Sequence, residues 1–373
     1  MSKTYAVIAG GGTGGHVYPA LAIAEALIAR GYSNEEILFV GSTRGLEARI
    51  IPDAGHRIKL LPGRGISRKP SVESLEAIGG LAKALFLAFR LLMKEKPKVV
   101  VSVGGYAAAP CAFAAVALRI PLVVAESNAV PGAVHRIVGR FAAANAVALP
   151  GTALPNAVVT GNPLRGVFAN FERGVPAKAR ARNELGIATE PVVIAIFGGS
   201  LGARSINIAA IELAKAWADV DNVKIRHVVG SRDWISRDPE LDHESVQQTN
   251  PNYEAVEYEP NMARLLSAAD IAVCRSGATT IAELSAAGIA SVLIPFPFAA
   301  GDHQSANARI LEEVGAARVI KDRNCSGKSL IKALLPLVGS KTARDSAANA
   351  AKKLAVPGAA ERVADLVERN ATS

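Results

Sequence analysis

The sequence predicts an α/β protein of two doubly wound, parallel-sheet domains facing a shared cleft, and three observations support this. Short uninterrupted Val/Ile/Ala runs alternate with helical stretches, as in parallel sheets covered on both faces. A glycine turn follows such a run twice: Gly10-Gly11-Gly12-Thr13-Gly14-Gly15-His16 after residues 5–9, and Gly198-Gly199-Ser200-Leu201-Gly202-Ala203 after residues 192–197. The length of 373 residues exceeds what one core usually organises.

Element by element, strands are expected at residues 5–9, 37–40, 58–61, 99–103, 122–125, 146–148 and 158–160. Helical patterns lie between them at 18–30, 45–51, 71–94 and 110–118. The pattern restarts after Gly161-Asn162-Pro163 with a charged helix at 173–188 and strands at 192–197, 224–229, 253–256, 271–273, 291–294 and 317–320. These place the first domain at 1–163 and the second at 164–356. An amphipathic helix at 359–369, after Val356-Pro357-Gly358, is expected to cross back so that 357–373 packs on the first domain. Residues 99–118 carry no charge and approach membrane-spanning length, but Gly104-Gly105 and Pro110 break them into strand, turn and helix.

Each glycine turn opens into an Ala-rich helix, where backbone N–H groups hold phosphate or another anionic oxygen. Gly10, Gly12 and Gly15 spell a dinucleotide fingerprint, yet the second strand ends in Val40-Gly41-Ser42-Thr43. The carboxylate expected roughly 20 positions on for a ribose is missing, which argues against a nicotinamide or flavin cofactor. The net charge of +9 favours an anionic partner. An aromatic content of 5% gives no stacking platform for single-stranded nucleic acid. Cys111, Cys274 and Cys325 are too scattered for a disulfide framework or a thiolate zinc site and fit a reducing compartment. No signal peptide precedes the first strand.

Four constellations carry the chemistry. His16 stands on the first turn of its helix, with an ordinary pKa of about 6.5 that suits a general base. Ser276-Gly277 leads into Ala278, Thr279, Thr280, Ile281, Ala282 and Glu283, a second anion cradle whose Glu283 suits paired sugar hydroxyls. Asp302-His303-Gln304-Ser305-Ala306-Asn307 follows the rigid Pro295-Phe296-Pro297-Phe298 loop, either for hydroxyl recognition or as a capped helix start. Leu85, Phe86, Leu87, Phe89, Leu91, Leu92 and Met93 alternate with Lys83, Arg90, Lys94, Lys96 and Lys98. That pattern suits either docking on anionic lipid or a core-facing helix. Gly63, Arg64, Gly65, Arg68 and Lys69 form a basic loop.

The ordered set Gly11–His16 with Pro19, Gly104-Gly105-Tyr106, Glu126-Ser127-Asn128-Ala129-Val130-Pro131-Gly132 and Gly161–Arg165 resembles the MurG family of bacterial peptidoglycan N-acetylglucosaminyltransferases. Gly198-Gly199-Ser200, Cys274–Ala278, Glu283 and His303-Gln304 with Asn307-Ala308 extend the resemblance over essentially the whole chain. It implies a GT-B fold and an inverting transfer of N-acetylglucosamine from UDP-N-acetylglucosamine to the muramyl 4-hydroxyl of lipid I, giving lipid II. The reaction would take place at the cytoplasmic face of the inner membrane, peripheral to its anionic surface. Cell-wall or division proteins stay open as partners, and no nucleic acid is expected.

By the same resemblance, His16 and then Glu126 are the candidate bases. Thr13, Gly14, Gly15, Asn128, Arg165, Ser200, Glu259, the stretch Ala278 to Glu283, and Gln304 would hold the donor. Ser127 departs from the family's usual Gln, and Glu259 stands where an apolar residue is frequent beside uracil. Asp219-Val220-Asp221 spells the metal motif of other nucleotide-sugar enzymes but reads as a solvated turn, so neither a metal nor another cofactor is expected. A sugar-nucleotide epimerase and a non-catalytic nucleotide-binding scaffold are the alternatives.

Overall fold

The computed structural model describes residues 4–62, 72–169, 171 and 174–372. The chain divides into two compact units, one of Met1–Gly166 with Val356–Ser373 and one of Val167–Ala355. The basic loop of Gly63, Arg64, Gly65, Arg68 and Lys69, the expected helix start at Ser71, and Arg173 lie outside the described residues.

The first unit runs β1 (Ala6–Gly10), α1 (Gly14–Ala29), β2 (Ile37–Ser42), α2 (Glu47–Asp53), β3 (Ile58–Leu61), α3 (Val72–Glu95), β4 (Val99–Gly104) and α4 (Ala109–Ala117). It continues through β5 (Leu122–Glu126), α5 (Ala133–Val138), β6 (Ala144–Val147) and β7 (Ala157–Val159), with the short α6 (Gly166–Ala169) at the boundary. Its seven strands are parallel in the order β3-β2-β1-β4-β5-β6-β7. Alternation along β1 splits the core in two. Ala6 and Ile8 pack with α1 residues such as Ile23 and Leu27, whereas Val7 and Ala9 pack with Ala88 and Leu92 of α3 and Ala112 of α4. Residues 99–118 form β4 and α4, and among the described residues no helix is long and apolar enough to cross a membrane.

The second unit contains α7 (Val175–Glu184), β8 (Val192–Phe197), α8 (Arg204–Ala216), β9 (Val223–Val228), α9 (Ser231–Trp234), α10 (His243–Thr249), β10 (Tyr253–Val256) and α11 (Met262–Ala268). Then come β11 (Ile271–Cys274), α12 (Ala278–Ala287), β12 (Ala290–Leu293), α13 (His303–Glu313), β13 (Ala317–Val319), α14 (Gly327–Gly339) and α15 (Lys341–Lys352). Its parallel order is β10-β9-β8-β11-β12-β13. Ile194 and Ile196 of β8 pack with Ile206 and Leu213 of α8 and Leu330 and Leu334 of α14.

The last helix, α16 (Ala359–Asn370), belongs to the first unit. Val363, Ala364 and Val367, all 0% exposed, join the core beneath α1. Arg30 fastens the rim by ion pairs to Asp365 at 2.7 Å and Glu368 at 2.6 Å and by donating to the Glu361 carbonyl at 2.7 Å. Val363→Ala removes buried methyl groups without altering charge. It is expected to cost the first unit about 2 kcal/mol, the transfer term plus a small cavity. Urea denaturation compared with wild type measures that loss.

Candidate active site

In doubly wound sheets the ligand crevice opens beyond the carboxyl ends of the strands, where their order reverses. In the first unit that point lies between β1 and β4, whose terminal residues Gly10 and Gly104 pair after a register shift. Thr13 caps α1 with extended backbone, leaving His16 half-buried on the first turn, its Nδ1 3.3 Å from Thr13 Oγ1. The imidazole rests on the Gly104-Gly105 backbone. A Cβ on Gly104 would come within 3.0 Å of His16 Cδ2, and one on Gly105 within 2.3 Å of the Gly11 carbonyl oxygen. Gly14 and Gly15 are partly exposed beside it. Arg165 stacks its guanidinium 4.1 Å from the Tyr18 ring centroid.

Glu126 closes β5 and is 5% exposed. Its Oε1 accepts from Asn128 N at 2.9 Å and Nδ2 at 3.1 Å, and its Oε2 from Gly132 N and His135 Nδ1, both at 2.9 Å. His135 Nε2 in turn meets Ser102 Oγ at 3.0 Å. Burial by itself would raise the carboxyl's pKa. The His135 bond and charge, with the Asn128 and Gly132 amides, outweigh burial and hold it at about 2. With both oxygens doubly engaged, Glu126 anchors the turn carrying Asn128, which weighs against the expectation of a second general base there. The departure at Ser127 is accommodated by its hydroxyl donating to Asn162 Oδ1 at 3.0 Å.

In the second unit the order reverses between β8 and β11, and a pocket of about 610 Å³ opens there. Gly198, Gly199 and Gly202 from the glycine turn line it, with Gly277 and Thr280 at the start of α12 and Gln304 at the start of α13. Gly202 has φ +81°, and a Cβ there would meet the Val229 carbonyl oxygen at 2.3 Å, so only glycine turns this corner. Neither α8 nor α12 has a side-chain cap at its N-terminus, and both helix starts border the pocket. Gln304 Oε1 accepts from Phe296 N at 3.0 Å, pinning the Pro-rich loop against α13. Asp302 accepts from Ser305 Oγ at 2.7 Å and makes no cap bond to the backbone.

Sequence inspection did not single out Arg204, Ser205, Arg232 or Asp322, all of which line this pocket. Arg275 bonds Asp322 and reaches Ser205 Oγ at 3.2 Å, joining residues up to 117 positions apart in the chain. Ser200 is exposed in the glycine turn, while Ala278, Thr279, Ala282 and Glu283 are partly buried on α12 and Ile281 is buried. Ser200 and these α12 residues are outside the pocket lining. Glu259 is turned inward: its carboxylate pairs with Arg226 at 3.2 Å and Arg264 at 3.1 Å and accepts from Asn261 N at 3.0 Å. The whole residue is only 2% exposed, so its side chain is taken up within the unit. Asp219 and Asp221 are exposed between α8 and β9, and among the described residues no acidic, histidine or cysteine cluster has the makings of a metal site.

Two doubly wound, parallel-sheet units, each with a glycine turn at its strand-order reversal, match the GT-B fold. Consistent with this, the structure of Acinetobacter baumannii MurG covers 98% of this chain and 99% of its own at 28% identity and TM-score 0.76. A glycosyltransferase of kitacinnamycin shares the fold, with TM-score 0.72 at 17% identity over 100% of both chains. The glycosyltransferase family 28 N-terminal domain matches residues 6–147 and the C-terminal domain residues 193–366, and the chain belongs to glycosyltransferase family 28. A Desulforudis audaxviator protein named UDP-N-acetylglucosamine--N-acetylmuramyl-(pentapeptide) pyrophosphoryl-undecaprenol N-acetylglucosamine transferase is 38% identical over 97% of each chain. A Carboxydothermus hydrogenoformans protein of the same name is 39% identical over 90% of this chain and 89% of its own.

The depressed Glu126 pKa sets a pH dependence. A carboxyl titrating lower in the folded state stabilises above its unfolded value, and the contribution is lost as pH falls toward 2. At neutral pH it is of order 3 kcal/mol. Unfolding free energies measured between pH 6 and about 2.5 should fall more steeply for wild type than for Glu126→Gln.

Proposed function

We infer that this chain is an inverting, UDP-sugar-dependent hexosyltransferase that moves N-acetylglucosamine from UDP-N-acetylglucosamine to the muramyl 4-hydroxyl of an undecaprenyl-diphosphate-linked muramyl pentapeptide. The observation that carries this is near-full-length identity to the named transferases, combined with a pocket at the strand-order reversal of the second unit. The Gly198–Gly202 turn, the uncapped starts of α8 and α12 and Ser200 take the UDP diphosphate, whose departing charge they stabilise as fixed dipoles. Arg275, held by Asp322 and Ser205, adds positive charge at the pocket wall. Glu283 takes the ribose hydroxyls, Gln304 the sugar hydroxyls, and the Glu259 backbone the uracil edge. In the first unit Thr13, Gly14, Gly15, Asn128 and Arg165 serve the donor as well.

The acceptor hydroxyl attacks the anomeric carbon as its bond to the diphosphate breaks. Its proton passes to His16, and UDP leaves with the bonding pair. Charge develops on both the ring and the leaving group, so amide dipoles and Arg275 neutralise what a divalent ion neutralises in other transferases.

On this reading the reaction runs at the cytoplasmic face of the membrane, and α3 offers a face that would suit docking there. Ala84, Ala88 and Leu92 are buried one turn apart, turning Leu85, Phe86 and Met93 outward beside exposed Lys83, Arg90 and Lys94. Leu87, Phe89 and Leu91 pack against the core instead, so the docking patch is narrower than the sequence pattern.

His16→Ala is expected to lower kcat at least tenfold, within the roughly 10²–10⁴-fold range of a general base, with UDP affinity unchanged. Radiolabelled sugar transfer to a short-chain acceptor, with and without EDTA, together with calorimetry of UDP binding, reads both. Unchanged kcat removes His16 from the mechanism, and release of an epimerised sugar without a lipid-linked disaccharide overturns the transferase assignment. Leu85→Ser/Phe86→Ser should lose flotation with vesicles containing anionic lipid, and equal flotation would show that α3 does not dock.

A further inference from the structure

We propose, on the reading of His16 given above, that Glu47 is a built-in anion that sets the first glycine turn and thereby positions His16. Glu47 opens α2, lies 35 residues from Gly12 in the chain, and is 1% exposed. A carboxylate withdrawn from water needs donors around it. Its Oε2 accepts from Gly12 N at 2.7 Å, and its Oε1 from Ser42 N at 2.8 Å and Ser42 Oγ at 3.1 Å. Two backbone amides and a hydroxyl thus face its two oxygens.

Three glycines leave room for this carboxylate. A Cβ would lie 2.2 Å from Glu47 Cδ at Gly11, 2.3 Å from its Cγ at Gly41, and 2.0 Å from its Oε2 at Gly45. Glu47 therefore fills a socket in which a phosphate-binding turn of this type would take an oxygen from its ligand. The turn that most resembles a nucleotide site is closed to phosphate at Gly12 by the chain's own side chain.

The socket reaches both walls of the His16 site. Gly12 leads directly to Thr13, whose hydroxyl meets His16 Nδ1. Ser42 Oγ also meets Tyr106 OH at 2.9 Å, fastening the turn after β4 whose Gly104 and Gly105 support the imidazole. Loss of the carboxylate leaves the Gly12 and Ser42 amides without an acceptor and frees the two turns from each other. Glu47 is thus a positioning residue acting through the backbone that carries and supports His16.

The test uses the full chain as Glu47→Gln, the isosteric change that faces a donor with a donor, and Glu47→Ala, which empties the socket. Both should lower kcat tenfold or more. Amide exchange of residues 11–15, followed by mass spectrometry, should accelerate at least tenfold. Formate should restore Glu47→Ala activity several-fold by re-entering the socket, whereas chloride at equal ionic strength should not. A folded Glu47→Ala protein that formate rescues no better than chloride overturns the proposal, as does kcat within twofold of wild type in Glu47→Gln. Should the wild-type chain transfer no sugar, the transferase assignment fails, and the exchange rates, which require no substrate, still decide whether Glu47 holds the turn.

Discussion

A backbone N–H removed from water must find an acceptor, and the two glycine turns meet that demand in different ways. Both stand at the reversal of a parallel strand order, where successive amides point out of the sheet. In the first unit Glu47 supplies the oxygen from within. In the second the turn borders a pocket with two uncapped helix starts beside it. One fold element, used twice, holds a buried carboxylate in one unit and borders a pocket in the other.

Much of this was legible in the chain. Paired buried strands announce themselves as short β-branched and alanine runs, and glycine turns announce the crevice, because few other residues adopt positive φ beside a ligand-sized gap. Boundaries were harder to read. The charged helix at 173–188 ends at Glu184, since Leu185 leads into Gly186 at φ +67°. The strand expected from Ala146 begins at Ala144, because buried Asn145 satisfies its amide on the Gly139 and Pro155 carbonyls and so fits inside a strand.

The site was harder to read than the fold, for a physical reason. A lone Glu47, five residues past Ser42, looks like an ordinary first-turn glutamate until Gly11 of the distant first turn closes on it beside Gly41 and Gly45. Glu126 carries the mark of a catalytic acid or base, yet His135, nine residues on, converts it into a buried anchor. Asp322 completes Arg275 from across the second unit. Residue type indicated chemistry in each case, and only the partners decided between reaction and support.

The return of α16 to the first unit makes the second unit an insertion within the first. A ribosome therefore finishes Val167–Ala355 while the earlier half still lacks Val363 and Val367, the side chains that complete its α1-facing core. The first unit thus keeps apolar surface of α1 uncovered until its last-made residues have been released from the ribosome. Premature termination near residue 355 would thus harm most the half of the molecule that was made first.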